Sequence, residues 1–235
     1  MKKHGFTLAE VLVTLGIIGV VAALTTPALI QNVGNAKVGP KLQKAVATFE
    51  TASEMMLTDQ NSNTLLGVST STIGLAKALS QYMKINPTDG KDSQGNIIQY
   101  KKYDGTGYNN ADDLGGMYAS DDGMIFYIAN TNKQPVHSDY ADIPNNQNIG
   151  RVYIDINGND GPNVVGKDLF VFALYNDGTL RPWGSSGFLR HKKASDITGL
   201  LWNGSSAKCD KSGVTGSGET CTGSIFDNGM KIIYQ

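Results

Sequence analysis

The segment from residue 155 to residue 168 carries the side chains best suited to bind a metal ion. Oxygen-bearing side chains recur along it, at Asp155, Asn157, Asn159, Asp160 and Asn163, and Asp168 follows shortly after. Glycines between them permit tight turns that would aim these oxygens at one point. Ca²⁺ takes six to eight oxygen ligands at about 2.3–2.6 Å, which these side chains and a few backbone carbonyls could supply. The pattern therefore indicates a candidate calcium site.

The same residues also fit a rigid connection between two strands. Asp160 stands where an EF-hand loop has its invariant glycine, and no glutamate closes the segment. In a purely structural loop, Asp155 and Asn157 would form Asx turns, and Asp168 would accept hydrogen bonds from backbone amides before the next strand. The sequence leaves both interpretations open.

The two cysteines, Cys209 and Cys221, lie close together near the C-terminus among Gly, Ser and Thr residues. In an exported protein such a pair is expected to form one disulfide that closes a short loop. A closure of this length stabilises the fold by roughly 3 kcal/mol in the chain-entropy model. A metal site would need further Cys or His ligands nearby, and the sequence places none there. We therefore predict a disulfide.

Catalytic patterns are not evident in the sequence. The three histidines are scattered, and no Ser/His/Asp, paired-carboxylate or phosphate-loop spacing occurs. Lys and Arg number 20 against 21 Asp and Glu, so no overall basic field attracts nucleic acid. The dense basic cluster at 190–193 is interpreted as a solvated loop. We expect neither an enzyme nor a nucleic-acid-binding protein.

The N-terminal region has the length and polarity of a membrane span. Lys2 and Lys3 precede an uncharged stretch, residues 11–36, whose most apolar part continues to Ile30. Twenty helical residues cover about 30 Å, one hydrocarbon thickness. A cleaved signal peptide or a plain signal anchor would share these features. Neither explains Glu10, since an ionisable group inside a membrane costs roughly 2.5–3.5 kcal/mol on insertion scales.

Residues 5–12, with the sequence GFTLAEVL, resemble the prepilin motif of type IV pilins and type II secretion pseudopilins. The resemblance continues through the Gly- and Val-rich stretch 16–23 to Pro27. It implies cleavage between Gly5 and Phe6 by a membrane peptidase, followed by methylation of the new Phe6 amine. Glu10 would pair with the Phe6 amine of a neighbouring subunit, or would complement the dipole of its own helix, worth about 0.3–1 kcal/mol. Pro27 would kink or loosen the helix, and a second bend is expected near Pro40.

The rest of the chain alternates between helical and strand patterns. An amphipathic helix is predicted from Lys41, with its stripe at Leu42, Val46, Phe49, Ala52 and Met56. After a loop, a short helix should span Thr72–Met83, with Ile73, Ala76, Leu79 and Met83 inward. Strand patterns follow at residues 124–129, 151–156, 169–174, 179–180 and 230–234, with hairpin turn chemistry at 176–178.

These patterns predict an α+β fold, in which a long N-terminal α-helix, membrane-spanning in its first half, packs on an antiparallel β-sheet, and the resemblance implies that this fold is pilin-like. The predicted divisions are a leader at 1–5, a transmembrane and polymerisation helix at 6–30, a continuing amphipathic helix at 31–57, and a globular head at 58–235 with the C-terminal disulfide loop.

The resemblance implies a structural filament subunit of a pilus or a secretion pseudopilus. Its partners would be identical or related pilin subunits, the prepilin peptidase, an inner-membrane assembly platform and membrane lipid. The precursor would lie in the inner membrane with a cytoplasmic N-terminus, which the two leading lysines favour, before joining a periplasmic or cell-surface filament. The alternative is a membrane-tethered exported enzyme or carbohydrate-binding module with a pilin-like anchor.

Overall fold

The computed structural model describes residues 7–69, 71–92, 94–110, 114–129, 148–183 and 218–227, with the backbone alone at 27–36, 72, 110, 148 and 227. The chain divides into two units, Met1–Lys37 and Val38–Gln235. We call them the N-terminal unit and the C-terminal unit.

Helix α1 spans Leu8–Asp59 and supplies the described structure of the N-terminal unit. The helix continues through Pro27 and Pro40 and across the predicted boundary at residue 30. The bends expected at the two prolines stay predictions.

From Val38 onward α1 belongs to the C-terminal unit, and there it carries an apolar stripe that packs into the core of that unit. The buried positions follow one another at steps of four and three residues: Val38, Leu42, Ala45, Phe49, Ala52 and Met56. This spacing puts them on one side of a helix, which makes their burial against the sheet possible. The predicted stripe is confirmed except that Val46 is only half-buried at its margin, while Ala45 is fully buried.

Two short helices follow α1. Helix α2, Leu65–Val68, lies within the predicted loop and begins at Thr64, whose side chain accepts a hydrogen bond from the amide of Gly67. Helix α3 spans Thr72–Met83, as predicted. It buries Leu75, Ala76, Leu79 and Met83.

The inward placement predicted for Ile73 in α3 is wrong, because 74% of that residue is exposed. Position 73 lies roughly 100° around the helix from the centre of the buried face at 100° per residue. The face that packs on the sheet is centred between Leu75 and Met83 instead.

The sheet contains six strands in the spatial order β1-β4-β5-β6-β7-β8, and every neighbouring pair is antiparallel. The strands are β1 (Ile85–Pro87), β4 (Gly116–Ser120), β5 (Ile125–Ala129), β6 (Asn148–Asp155), β7 (Leu169–Tyr175) and β8 (Leu180–Pro182). A separate hairpin pairs β2 (Gln99–Lys101) with β3 (Gly107–Asn110). The strands predicted at 124–129, 151–156, 169–174 and 179–180 are confirmed within a few residues. The strand predicted at 230–234 lies outside the described residues.

The sheet is buried on both faces. One face contributes Phe126, Ile154 and Phe172 to a core shared with α1 and α3. The other face contributes Tyr127 and Val171 to a second core, which the β2–β3 hairpin covers with its own apolar residues. Strand β7 is buried at every position, as expected of a continuous apolar run in the middle of a layered structure.

Helix α4, Cys221–Asp227, closes the described part of the chain. Its Ile225 enters the core that contains α1, and the ring of Phe226 meets that of Phe172 edge-on at 5.8 Å between centroids. A long N-terminal helix with an antiparallel sheet confirms the predicted α+β, pilin-like fold class.

Candidate functional site

The start of α1 is closed by reciprocal hydrogen bonds between Thr7 and Glu10. The Glu10 carboxylate accepts from the Thr7 amide at 2.8 Å and from the Thr7 hydroxyl at 2.9 Å. The Glu10 amide donates back to the Thr7 hydroxyl at 3.3 Å. This arrangement is a capping box, in which a Thr and a Glu three residues later satisfy amides that the helix leaves unpaired. The spacing Thr-x-x-Glu is the sequence signal for it, a signal missed above.

The helix after Glu10 is apolar on all sides. Residues Leu8–Thr26 have a mean hydropathy of 2.3, and none of this stretch is buried in the protein. Large side chains on different sides of the helix are exposed, among them Leu8, Leu12, Ile17 and Leu24. A helix that is hydrophobic all round needs an apolar environment on every side. Its length and composition are sufficient to cross a membrane.

Three threonines in this apolar helix satisfy their hydroxyl groups internally. Thr14 donates to the carbonyl of Val11, and Thr25 and Thr26 donate to carbonyls one turn earlier. A polar group inside a lipid bilayer is costly unless it is hydrogen-bonded, so these bonds suit the helix to a membrane. Glu10 remains the group whose burial in lipid needs a further explanation.

The other predicted residues of this segment are only partly described. The processing residues Gly5 and Phe6 lie outside the described residues. Pro27 lies within the backbone of α1. Their proposed roles stay predictions.

In the loop after β6, Asp155 is fully buried and uses both of its oxygens. One oxygen accepts from the amides of Asn157 at 3.1 Å and Gly158 at 2.8 Å. The other accepts from the hydroxyl of Tyr100 at 2.6 Å, and that hydroxyl also lies 2.7 Å from the hydroxyl of Tyr127. Burial raises the pKa of Asp155 to about 7; the hydrogen bond from Tyr100 opposes this shift.

Asp168 holds the far end of the same loop and is 3% exposed. Its carboxylate accepts from three backbone amides: those of Asn163 at 2.5 Å, Val164 at 2.6 Å and Leu169 at 3.1 Å. Burial raises its pKa, although these amide hydrogen bonds act in the opposite direction. The two carboxylates thus organise the two ends of the loop through main-chain hydrogen bonds.

The remaining candidate calcium ligands differ in their exposure and in their hydrogen bonds. Asn159 and Asp160 are exposed, and Asn157 uses its side-chain amide to donate to the carbonyls of Asp160 and Gly161. The side-chain oxygens of Asn157 and Asn163 are both buried without a hydrogen-bond partner among the described residues. In the part of the chain that the structure describes, no three His, Cys, Asp or Glu side chains group in a way that could hold a metal ion. The hydrogen bonds of Asp155 and Asp168 fit the structural interpretation of the loop, and the calcium site stays a prediction.

The disulfide also stays a prediction. Cys221 is fully buried at the first position of α4. Cys209 lies outside the described residues.

Comparison with known proteins identifies the N-terminal region. No curated protein and no solved structure matches the chain. Residues 1–26 match the family model described as the prokaryotic N-terminal methylation motif. The matched stretch includes the capping box and nearly the whole apolar part of α1. The chain therefore carries the N-terminal methylation motif that is the signature of type IV pilins and pseudopilins.

Proposed function

We propose that this protein is a structural subunit of a type IV pilus-like or type II secretion pseudopilus filament. A prepilin peptidase would cut between Gly5 and Phe6, and the subunit would assemble through α1. The observation that carries the proposal is the apolar helix Leu8–Thr26, which lies within the matched motif and buries none of its surface in its own chain. A filament core built from such helices would remove that surface from water and lipid alike.

The capping box bears on how Glu10 would act. In the single subunit its carboxylate is already hydrogen-bonded to Thr7, which lowers the cost of holding it at the end of a membrane helix. On assembly, the Phe6 amine of a neighbouring subunit would become its partner. In a low-dielectric filament core, such a charge pair would strongly favour one axial alignment of neighbouring subunits, because any other alignment would leave an unpaired charge buried.

The proposed partners follow from this mechanism. They are identical or related pilin subunits, the prepilin peptidase, an assembly platform in the inner membrane and membrane lipid. The precursor would be a single-pass inner-membrane protein with a cytoplasmic N-terminus, and the mature subunit would enter a periplasmic or cell-surface filament.

Two measurements test the proposal, one of processing in the membrane and one of assembly into filaments. Intact-mass analysis of the protein extracted from its native membrane should show the loss of residues 1–5 and one methyl group on Phe6. Glu10→Gln, which keeps the shape and removes the charge, should still enter the membrane but should be depleted from sheared filaments. Glu54→Gln is the matched control, since Glu54 is an exposed acid on the same helix within the C-terminal unit.

A mature N-terminus near residue 25 would contradict the proposal and indicate a cleaved signal peptide. Normal assembly of Glu10→Gln, in cells without the wild-type chain, would contradict the charge pair but not the processing step. The two measurements therefore separate the two parts of the proposal.

A further inference from the structure

The C-terminal segment, residues 218–227, completes an edge of the sheet that β8 leaves short. Strand β8 pairs with β7 at residues 172–174 of β7, and the Trp183 amide after β8 donates to the Val171 carbonyl at 3.0 Å. One residue earlier, the amide of Val171 donates to the hydroxyl of Thr222 at 2.9 Å. The amide of Gly223 donates to the carbonyl of Trp183, also at 2.9 Å. Side-chain and main-chain groups of this segment therefore replace a strand at this edge, where unpaired amides would invite other strands.

A single carboxylate in this segment joins it to two other elements. The Glu219 carboxylate accepts from the hydroxyl of Tyr108 on β3 at 2.6 Å. The same oxygen lies 3.8 Å from a guanidinium nitrogen of Arg151 on β6. The Arg151 guanidinium in turn lies over the Trp183 ring, 4.3 Å from its centroid. We call these four residues the Glu219 cluster.

The side chains of Arg151 and Glu219 in the Glu219 cluster are partly shielded from water, so their contacts can stabilise the position of the segment. The Glu219 side chain is 19% exposed and that of Arg151 is 34% exposed. Hydrogen bonds to charged groups are stronger than neutral ones, and partial exclusion of water strengthens them further. An exposed pair such as Lys44 and Asp122, with side chains 63% and 38% exposed, contributes much less.

We propose that the Glu219 cluster holds the C-terminal segment on the sheet independently of the disulfide predicted between Cys209 and Cys221. A disulfide acts mainly by restricting the unfolded chain, whereas these contacts exist only in the folded state. The exported chain would thus seat its C-terminal segment before the cysteines are oxidised. It would also keep the segment seated in a reducing environment.

Hydrogen exchange of the full-length protein in detergent, followed by mass spectrometry, tests this directly. The informative peptides cover residues 218–227 and the facing strand β7, each measured with and without a phosphine reductant. In the wild type, exchange of both peptides under reductant should stay within a factor of about three of the oxidised value. In Glu219→Gln under reductant, exchange of both should rise roughly tenfold or more, because the variant removes the charge that strengthens the hydrogen bond from Tyr108 and attracts Arg151. Asp122→Asn is the control and should behave as the wild type.

Tyr108→Phe provides a second, milder variant, which removes one hydroxyl and keeps the ring. Its exchange under reductant should rise in the same two peptides, by less than in Glu219→Gln. Two results would overturn the proposal. One is a wild-type segment that opens on reduction as far as the Glu219→Gln segment does, because the disulfide alone would then hold it. The other is unchanged exchange in both variants under reductant.

Discussion

The hydroxyl of Tyr100 donates to the carboxylate of Asp155 at 2.6 Å, and so fastens the β2–β3 hairpin to the end of β6. Asp155 also binds two amides of the loop that follows β6. A hairpin, a central strand and a loop therefore meet at one buried carboxyl group. Its contacts among the described residues are neutral donors, and the neighbouring Asp168 opposes its ionisation.

The first prediction concerns stability and pH. Burial raises the pKa of Asp155 in the folded chain to about 7, above the ordinary value of 3.8 that applies when the chain unfolds. Between these values the folded state binds more protons than the unfolded state, so the free energy of unfolding falls as pH rises. The slope should approach about 1.4 kcal/mol per pH unit for this one proton. The raised pKa of Asp168 acts in the same direction.

Unfolding of the full-length protein in detergent between pH 4.5 and 7.5 measures this slope. Asp155→Asn keeps the shape and removes the charge, so it should flatten the slope. Asp122→Asn is the control. Burial raises the pKa of Asp122, but hydrogen bonds from Lys44 and Ser120 lower it more, so its net shift is downward and outside this pH range. An equally steep slope in Asp155→Asn would contradict the assignment.

An element can be predicted from the sequence when a local apolar pattern stabilises it, and not when it depends on pairing with a distant segment. Strands β5 to β7 and helix α3 were predictable because their apolar patterns are local. Strands β1 to β4 were missed; β1 and β2 have three residues each and carry polar side chains. Strand β1 is stabilised by pairing with β4, which begins 29 residues after β1 ends. No local sequence pattern predicts that pairing.

The candidate sites divide in the same way. The motif around Glu10 is contiguous, so the sequence alone identified it. The partner of Asp155 lies 55 residues away, at Tyr100, and the contact depends on the placement of the hairpin. Oxygen-bearing residues at suitable spacing indicated a calcium site. The structure shows that two of them, Asp155 and Asp168, already accept hydrogen bonds.

The second prediction concerns calcium. Asp155 and Asp168 each already accept three hydrogen bonds within the folded chain, so we expect millimolar Ca²⁺ to leave the unfolding midpoint unchanged. If a site with a Kd near 10 μM existed, 1 mM Ca²⁺ would add about 2.7 kcal/mol and raise the midpoint by several degrees. Such a rise, reversed by chelator and absent in Asp155→Asn combined with Asp168→Asn, would establish the calcium interpretation instead.

The third prediction concerns the docking of α1 on the β7–β8 turn. Gly178 has φ of 86°, and a Cβ atom added there would lie 2.5 Å from the Cβ of Ser53 on α1. Gly178→Ala should therefore destabilise the C-terminal unit by more than the roughly 1 kcal/mol that a positive φ costs a residue with a side chain. Gly123→Ala is the matched control, because Gly123 has φ of 83° and nothing within 4 Å of the added atom. Equal losses in thermal unfolding would show that the contact with Ser53 contributes nothing.

The last prediction concerns the capping box and uses Thr7→Val beside Thr7→Ser. Valine keeps the shape of threonine but removes the hydroxyl that accepts from the Glu10 amide and donates to its carboxylate. Loss of an N-cap side chain costs about 1 kcal/mol, so the first turn of α1 should open about five times more often. Amide exchange at Glu10, followed by NMR of the selectively labelled full-length protein in micelles, should accelerate by that factor in Thr7→Val and stay near wild type in Thr7→Ser. The Glu10 carboxylate would keep the Thr7 amide as a donor in both variants, because that bond needs no side chain from residue 7. Equal exchange in the two variants would mean that the hydroxyl does not stabilise the first turn.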